Sequence, residues 1–158
     1  MNRLMNDKWS WVEGSHAMRA ELMDALSDTD LAFTPGGQVM TLGALCCEMG
    51  EVEHSYLESF KTFKQNFDYH NTEAGLEGSV AKLKAWNQKL DDEMKAALSA
   101  YSDEDLNKTI ERPSGYQVPI EMQLDIYLQA LLIFFGKVTI YLRAMSKSLP
   151  KSMQDWIW

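Results

Sequence analysis

The chain has 158 residues, 46% of them hydrophobic, and its 23 acidic side chains outnumber its 15 basic ones, giving a formal net charge of −8. A chain of this length can bury a core of its own, and its apolar content is too high for a disordered protein. Nucleic acids and anionic membrane surfaces attract clustered basic side chains, so this acidic chain without a basic run is expected to bind neither.

Two long amphipathic helices are predicted in the first half of the chain. The first spans about residues 7–26 and ends before the Thr-Pro-Gly-Gly turn signal at residues 34–37. The second begins near Thr41, whose hydroxyl suits an N-cap, and continues to about Phe67. In both segments apolar residues recur at three- and four-residue spacings, which is the period of a helix with one buried face.

The second half of the chain predicts two more helices and a short one. A helix is predicted from about residue 72 to residue 101, followed by an irregular, partly extended connection at residues 109–119. The next helix begins at Pro119 and ends near residue 146, and a last short helix covers residues 150–158. Four long helices with short connections predict an all-α fold, a four-helix bundle formed by one domain over residues 1–158.

Three further features predict a cytoplasmic protein. The N-terminus lacks the apolar run of a signal peptide. The longest apolar stretch without a charge, residues 126–136, is well short of the roughly 20 residues that span a bilayer. Cys46 and Cys47 are neighbours that point apart on a helix, so they are expected to be free, buried thiols.

Two segments resemble the DinB-like (DinB/YfiT) superfamily. Residues 41–54, TLGALCCEMGEVEH, are similar to the S/T-x-G-x-L-L-x-H-x-x-x-x-E pattern of that family's second helix. Residues 136–150, GKVTIYLRAMSKSLP, resemble the H-R-G-Q run followed by Y-L-R and L-P at the end of its fourth helix. The resemblance covers nearly the whole chain in layout and implies the same bundle fold.

The resemblance also implies a position for a metal site. Family members typically hold a divalent metal with three histidines, one from the second helix and two, four residues apart, from the fourth. The matching positions here are Glu48, Ala130 and Phe134, so none is a histidine. Intact family sites are associated with thiol-dependent transferase or isomerase chemistry, using bacillithiol, mycothiol or glutathione, in which the metal activates the thiol. We therefore expect this chain to carry no metal and no cofactor.

Six residues make up the candidate pocket: Glu48, Ala130, Phe134, His16, Asp125 and Gln129. Glu48 borders the apolar face of its helix, where a carboxylate either reaches solvent or needs a partner such as Asp125 or Gln129. His16 lies on an apolar stripe, either as a hydrogen-bonded core residue or paired with Glu48 across the bundle. His54 and His70 are expected in solvent, on the polar face of the second helix and in the turn after it.

The leading hypothesis is a metal-independent bundle that binds a small apolar or amphipathic ligand. A homodimer is expected, because the fourth helix is apolar nearly all round between Ile126 and Leu142 and needs more cover than three neighbouring helices supply. The alternative is a thiol-dependent transferase or isomerase with an atypical site around Glu48. The sequence identifies no catalytic residue.

Overall fold

Four long helices and two short ones form most of the chain in a computed structural model, which describes residues 1–157 except for the side chain of Ile157. The predicted four-helix bundle with a short C-terminal helix is confirmed. The long helices are α1, α3, α4 and α5, and the element bounds are α1 Arg3–Asp24, α2 Asp28–Leu31, α3 Leu42–Thr62, α4 Val80–Ser99, α5 Ile120–Ala144 and α6 Lys151–Ile157.

Three of the long helices begin at a side chain that caps the first turn. The side chain of Asn2 accepts a hydrogen bond from the backbone N–H of Met5, and that of Ser79 caps α4 in the same way. The predicted N-cap of α3 is confirmed, since the Thr41 hydroxyl accepts from the N–H of Ala44 at 3.2 Å. Each cap satisfies an N–H that has no partner inside its helix.

The prediction that the second helix continues to Phe67 is wrong. α3 ends at Thr62, and Phe63 follows in the left-handed conformation with φ 59°. Beyond it the chain pairs with strand β1 (Thr109–Glu111), where Gln65 donates to the carbonyl of Glu111 at 2.7 Å. The residues after Thr62 leave the helix because they form backbone hydrogen bonds with β1. The spacing of apolar residues in the helix does not predict this contact.

Strand β1 forms a hairpin with strand β2 (Gln117–Pro119), with Ile110 opposite Val118. Both of these side chains are fully buried. The hairpin is the extended part of the connection predicted before the last long helix, and it leads directly into α5 at Ile120.

The third helix begins eight residues later than predicted, at Val80. A single 3-10 turn, Leu76–Gly78, precedes it and packs on α3. The contact explains Gly43, because a Cβ at that position would lie 1.9 Å from the carbonyl oxygen of Glu77. Any side chain at residue 43 would therefore push the turn off the start of α3.

The four long helices follow one another around the bundle in the order α1, α4, α3, α5. α5 packs on α3 and α1 through an inner face that includes Leu131, Phe135 and Val138. By length and composition α5 is also apolar enough to cross a membrane, and it is the one such helix among the described residues. A helix in the core of a bundle meets the same two criteria, so this property alone assigns no location.

Helix α6 docks the C-terminal segment on α1. Met153 is fully buried, and the Glu21 carboxylate accepts a hydrogen bond from the N–H of Lys151 at 2.9 Å. Trp156 is largely exposed and meets Trp11 edge-on, with ring centroids 5.6 Å apart. The rest of the predicted apolar tail, Trp158 and the Ile157 side chain, lies outside the described part of the chain.

Candidate functional site

The three residues at the family's metal positions line one pocket. Glu48 lies on α3, and Ala130 and Phe134 lie on α5 across from it. The pocket has a volume of about 180 Å³ and opens to solvent between the two helices. Its remaining lining comes from Leu45, Met49, Val52, Ile133 and Lys137.

The interior of this α3–α5 pocket is apolar and its mouth is charged. Leu45, Met49 and Phe134 are buried and form the inner wall. At the mouth, Glu48 Oε1 lies 3.7 Å from Lys137 Nζ, and both side chains are roughly half exposed. Glu48 therefore takes its partner from Lys137 and not from Asp125 or Gln129.

The donors in the α3–α5 pocket do not fit the family's metal. A transition-metal site in a bundle needs at least three nitrogen, sulfur or carboxylate ligands. The side chains of Ala130 and Phe134 have no lone pair to offer a metal. The one carboxylate, Glu48, already pairs with the Lys137 ammonium. The pocket can therefore recognise a ligand by its shape, by apolar contact and through one ion pair.

The other three candidate residues lie elsewhere. Asp125 accepts a hydrogen bond from Lys8 at 2.9 Å, on the side of α5 that faces α1. Gln129 is exposed on the outer surface of α5. His16 is buried inside the bundle, where it meets Asp91 and Glu53 instead of Glu48.

His16 is part of a buried polar cluster to which all four long helices contribute. His16 and Arg19 come from α1, Glu53 from α3, Asp91 from α4 and Tyr127 from α5. The Nδ1 atom of His16 lies 2.8 Å from Asp91 Oδ1, and its Nε2 atom lies 2.7 Å from the Tyr127 hydroxyl. The Arg19 guanidinium donates to both Glu53 and Asp91.

The charges of this cluster balance one another inside the bundle. Burial raises the pKa of the Glu53 carboxyl, although the Arg19 charge opposes that shift. Burial acts in the same direction on Asp91, but the His16 hydrogen bond and the Arg19 charge outweigh it and lower the pKa of Asp91. The Arg19 cation therefore offsets the free-energy cost of burying the carboxylates of Glu53 and Asp91.

The same cluster contains a possible metal-ligand set whose charge Arg19 already neutralises. Donor atoms of His16, Glu53 and Asp91 lie within 4.8 Å of one another. A metal there would have to displace the guanidinium that bonds both carboxylates. The cluster is therefore a structural ion network in which Arg19 supplies the positive charge that a metal would otherwise bring.

A signal for Glu53 was present in the sequence. The family pattern quoted above ends in a glutamate five residues after its histidine, and that last position falls on Glu53. Arg19 and Asp91 had no comparable signal. Their role depends on contacts between residues 34 and 72 positions apart in the chain, which meet only in the folded bundle.

The thiols offer no nucleophile. Cys46 and Cys47 are free and buried, and burial raises their pKa values to about 12 and about 11. Both therefore stay protonated at neutral pH, whereas a reactive cysteine needs a depressed pKa.

Neither remaining histidine reaches either site. His54 stacks on Tyr69 at 3.6 Å between ring centroids, and burial lowers its pKa, so it is less solvated than predicted. His70 is exposed and lies 3.1 Å from Glu51.

The chain is similar to known proteins in sequence and in fold. A sequence model of the DinB superfamily matches residues 12–132. Among solved structures, this chain is similar to the crystal structure of the DinB-like protein YjoA from Bacillus subtilis. The two share 17% sequence identity and superpose with a TM-score of 0.69, over 88% of this chain and 92% of that chain. No curated protein matches the chain.

Proposed function

This chain belongs to the DinB superfamily, and we propose that it is a metal-independent member that binds a small amphipathic ligand in the α3–α5 pocket. One observation carries the proposal. The three positions that hold the metal in typical members are occupied by Glu48, Ala130 and Phe134, and these residues still line a common pocket. An apolar pocket with a few polar groups at its edge suits a small organic molecule.

The volume limits the ligand to about one ring with a short polar tail. A cavity of about 150 Å³ in another protein holds one benzene molecule, and the pocket here measures about 180 Å³. The apolar body of the ligand would lie against Met49, Val52 and Phe134. Its head group would replace one partner of the Glu48–Lys137 pair, at low cost because an exposed ion pair contributes only about 0–1 kcal/mol.

Three probes of similar size test this binding mode: 2-phenylethylamine, 3-phenylpropionate and toluene. We expect an ammonium probe to pair with Glu48 or a carboxylate probe to pair with Lys137, and at least one of them to bind more tightly than toluene. Titration followed by chemical-shift changes or calorimetry gives the three affinities. The identity of the better charged probe would tell which member of the ion pair recognises the head group.

The matched variants are Ala130→Phe, which fills the pocket, and Ala96→Phe, which adds the same ring on the exposed surface of α4. Binding should weaken at least tenfold in the first and stay unchanged in the second. If Ala130→Phe bound the probes like the parent protein, the α3–α5 pocket would not be the site.

A thiol-dependent enzyme around Glu48 is a distinguishable outcome of the same work. The Glu48 carboxylate repels a thiolate, so such an enzyme would need another group beside it to hold the thiolate charge. Conjugation of glutathione or bacillithiol to 1-chloro-2,4-dinitrobenzene, lost in Glu48→Gln, would replace the binding proposal with the transferase.

A further inference from the structure

A second cleft lies between α1 and α4, beside the buried polar cluster. It has a wide end of about 220 Å³ and a narrow end of about 50 Å³. The two ends are continuous, because both are lined by His16, Ala20, Gln88 and Asp91. We call this space the α1–α4 cleft. It shares no lining residue with the α3–α5 pocket, so it is a separate place where a ligand can bind.

The narrow end of the α1–α4 cleft is lined by two buried side chains with unused hydrogen-bonding atoms. Asn87 is 7% exposed and Arg19 is 2% exposed. Among the described residues, neither Asn87 Oδ1 nor Arg19 Nε has a hydrogen-bond partner. A buried polar atom left in this way typically costs about 1–3 kcal/mol, and few native proteins retain one without a reason.

These two atoms select an uncharged ligand group that both donates and accepts. Asn87 Oδ1 can only accept a hydrogen bond, and the Arg19 Nε–H can only donate one. Lys84 also lines the narrow end, but it pairs with Asp24, so it leaves no net charge for an ionic group to meet. An amide satisfies both atoms at once, because its N–H donates and its carbonyl accepts.

The wide end of the α1–α4 cleft holds a position for an ammonium group. Lys95 Nζ lies 5.6 Å from the centre of the Trp9 ring and 3.0 Å from Glu13 Oε1. An aromatic face beside a carboxylate is a common binding site for organic cations. Lys95 and Glu13 are both more than half exposed, so their pair contributes only about 0–1 kcal/mol and a ligand cation can take the place of the lysine.

The charge of the wide end also favours a cation over an anion. Asp92 lines this end together with Glu13 and Asp91. Its hydrogen bond comes from the neutral amide of Gln88 at 3.0 Å, and no cation of the described residues pairs with it. A carboxylate or phosphate ligand would meet these acidic side chains and be repelled.

We infer that the α1–α4 cleft binds a monoacylated aliphatic diamine, with its ammonium group between Trp9 and Glu13 and its amide between Arg19 and Asn87. On α4, Lys95 lies eight residues after Asn87, so the two ends are separated by about 12 Å along the helix axis. An extended methylene chain suits that length. It would pass Ala17 and Ala20 on α1, whose small side chains leave room for it.

Calorimetric titration of the full chain with three probes of similar length tests the inference. The first is N-acetylcadaverine, which has both groups; N-pentylacetamide lacks the ammonium group, and octylamine has methylenes in place of the amide. We expect N-acetylcadaverine to bind with a Kd below about 1 mM, an affinity within reach of a ligand of this size. Each of the other two should bind at least tenfold more weakly. No binding of N-acetylcadaverine, or equal affinities for the three probes, would overturn the inference.

A substitution at each end shows where the ligand lies. Asn87→Leu should weaken N-acetylcadaverine at least tenfold and leave octylamine unchanged, while Tm stays the same or rises because a buried atom without a partner is removed. Lys95→Met should tighten N-acetylcadaverine about threefold or more, because the lysine no longer competes for the cation position. Lys89→Met removes the same charge from an exposed site on α4 outside the cleft and is the matched control.

Two results with these variants would contradict the assignment. One is an Asn87→Leu protein that binds N-acetylcadaverine like the parent, and the other is a Lys95→Met protein that binds it no better than Lys89→Met does. Ala130→Phe, which fills the α3–α5 pocket, should leave N-acetylcadaverine binding unchanged. If that variant lost it, the ligand would lie in the α3–α5 pocket, which would overturn this inference and leave the proposed function standing.

Discussion

Removing Arg19 should destabilise this protein more than removing any surface cation. Arg19 is 2% exposed and bonds Glu53, which is fully buried, as well as Asp91. Arg19→Met keeps most of the side-chain volume but leaves two carboxylates inside the bundle without their cation. Breaking a buried ion pair by deleting one partner typically costs about 3–5 kcal/mol.

The expected loss is large enough for a simple measurement. For a chain of this size, about 3–5 kcal/mol corresponds to a fall in Tm of roughly 10 °C. Urea unfolding gives the free energy, with the midpoint shifting and the slope unchanged. Lys84→Met is the matched control, because Lys84 pairs with Asp24 at the surface, where one ion pair contributes less than about 1 kcal/mol.

The pH dependence of this effect has a definite sign. Burial already raises the pKa of Glu53 above its value in the unfolded chain, and loss of the Arg19 charge would raise it further. A folded state that binds its proton more tightly than the unfolded state loses stability as pH rises through that window. The destabilisation by Arg19→Met should therefore be larger at pH 8 than at pH 5. A variant within 1 kcal/mol of the parent protein at pH 8, a threshold below the typical cost of an unpaired buried charge, would refute the role given to Arg19.

Three further outcomes follow from the same structure. Protein purified without a histidine tag or chelator should contain less than about 0.1 zinc, nickel or iron per chain, because the α3–α5 pocket supplies one carboxylate where three donors are needed and Arg19 already bonds both carboxylates of the buried donor set; about one metal per chain would contradict this. Cys46 and Cys47 should react with a thiol reagent at pH 8 only after denaturant is added, since burial holds their pKa values at about 12 and about 11; fast labelling of the native protein would count against that environment. Met153→Ala should cost about 2 kcal/mol or more in urea unfolding, because the side chain is fully buried between α6 and α1; an unchanged midpoint would mean that α6 does not stabilise the bundle.

The four long helices could be predicted from the sequence. Apolar residues at three- and four-residue spacings predicted them, and Thr41 marked the first residue before α3 correctly because a cap depends on atoms within four residues of one another. The resemblance to the DinB superfamily fixes equivalent positions on two helices at once, and Glu48, Ala130 and Phe134 at those positions line one pocket. His16, Asp125 and Gln129, which the sequence analysis grouped with them, do not line it.

Other features depended on contacts that no local pattern contains. α3 ends at Thr62 because the residues after it form backbone hydrogen bonds with a distant strand, and Glu48 pairs with Lys137 because α5 lies beside α3. The buried cluster shows the reason most directly. On α3 alone, Glu53 is one acidic residue among several, and an interior carboxylate is unfavourable until a cation from another helix meets it. Only the packed bundle brings Arg19 within hydrogen-bond distance of Glu53, so only the tertiary structure could decide that this glutamate is buried.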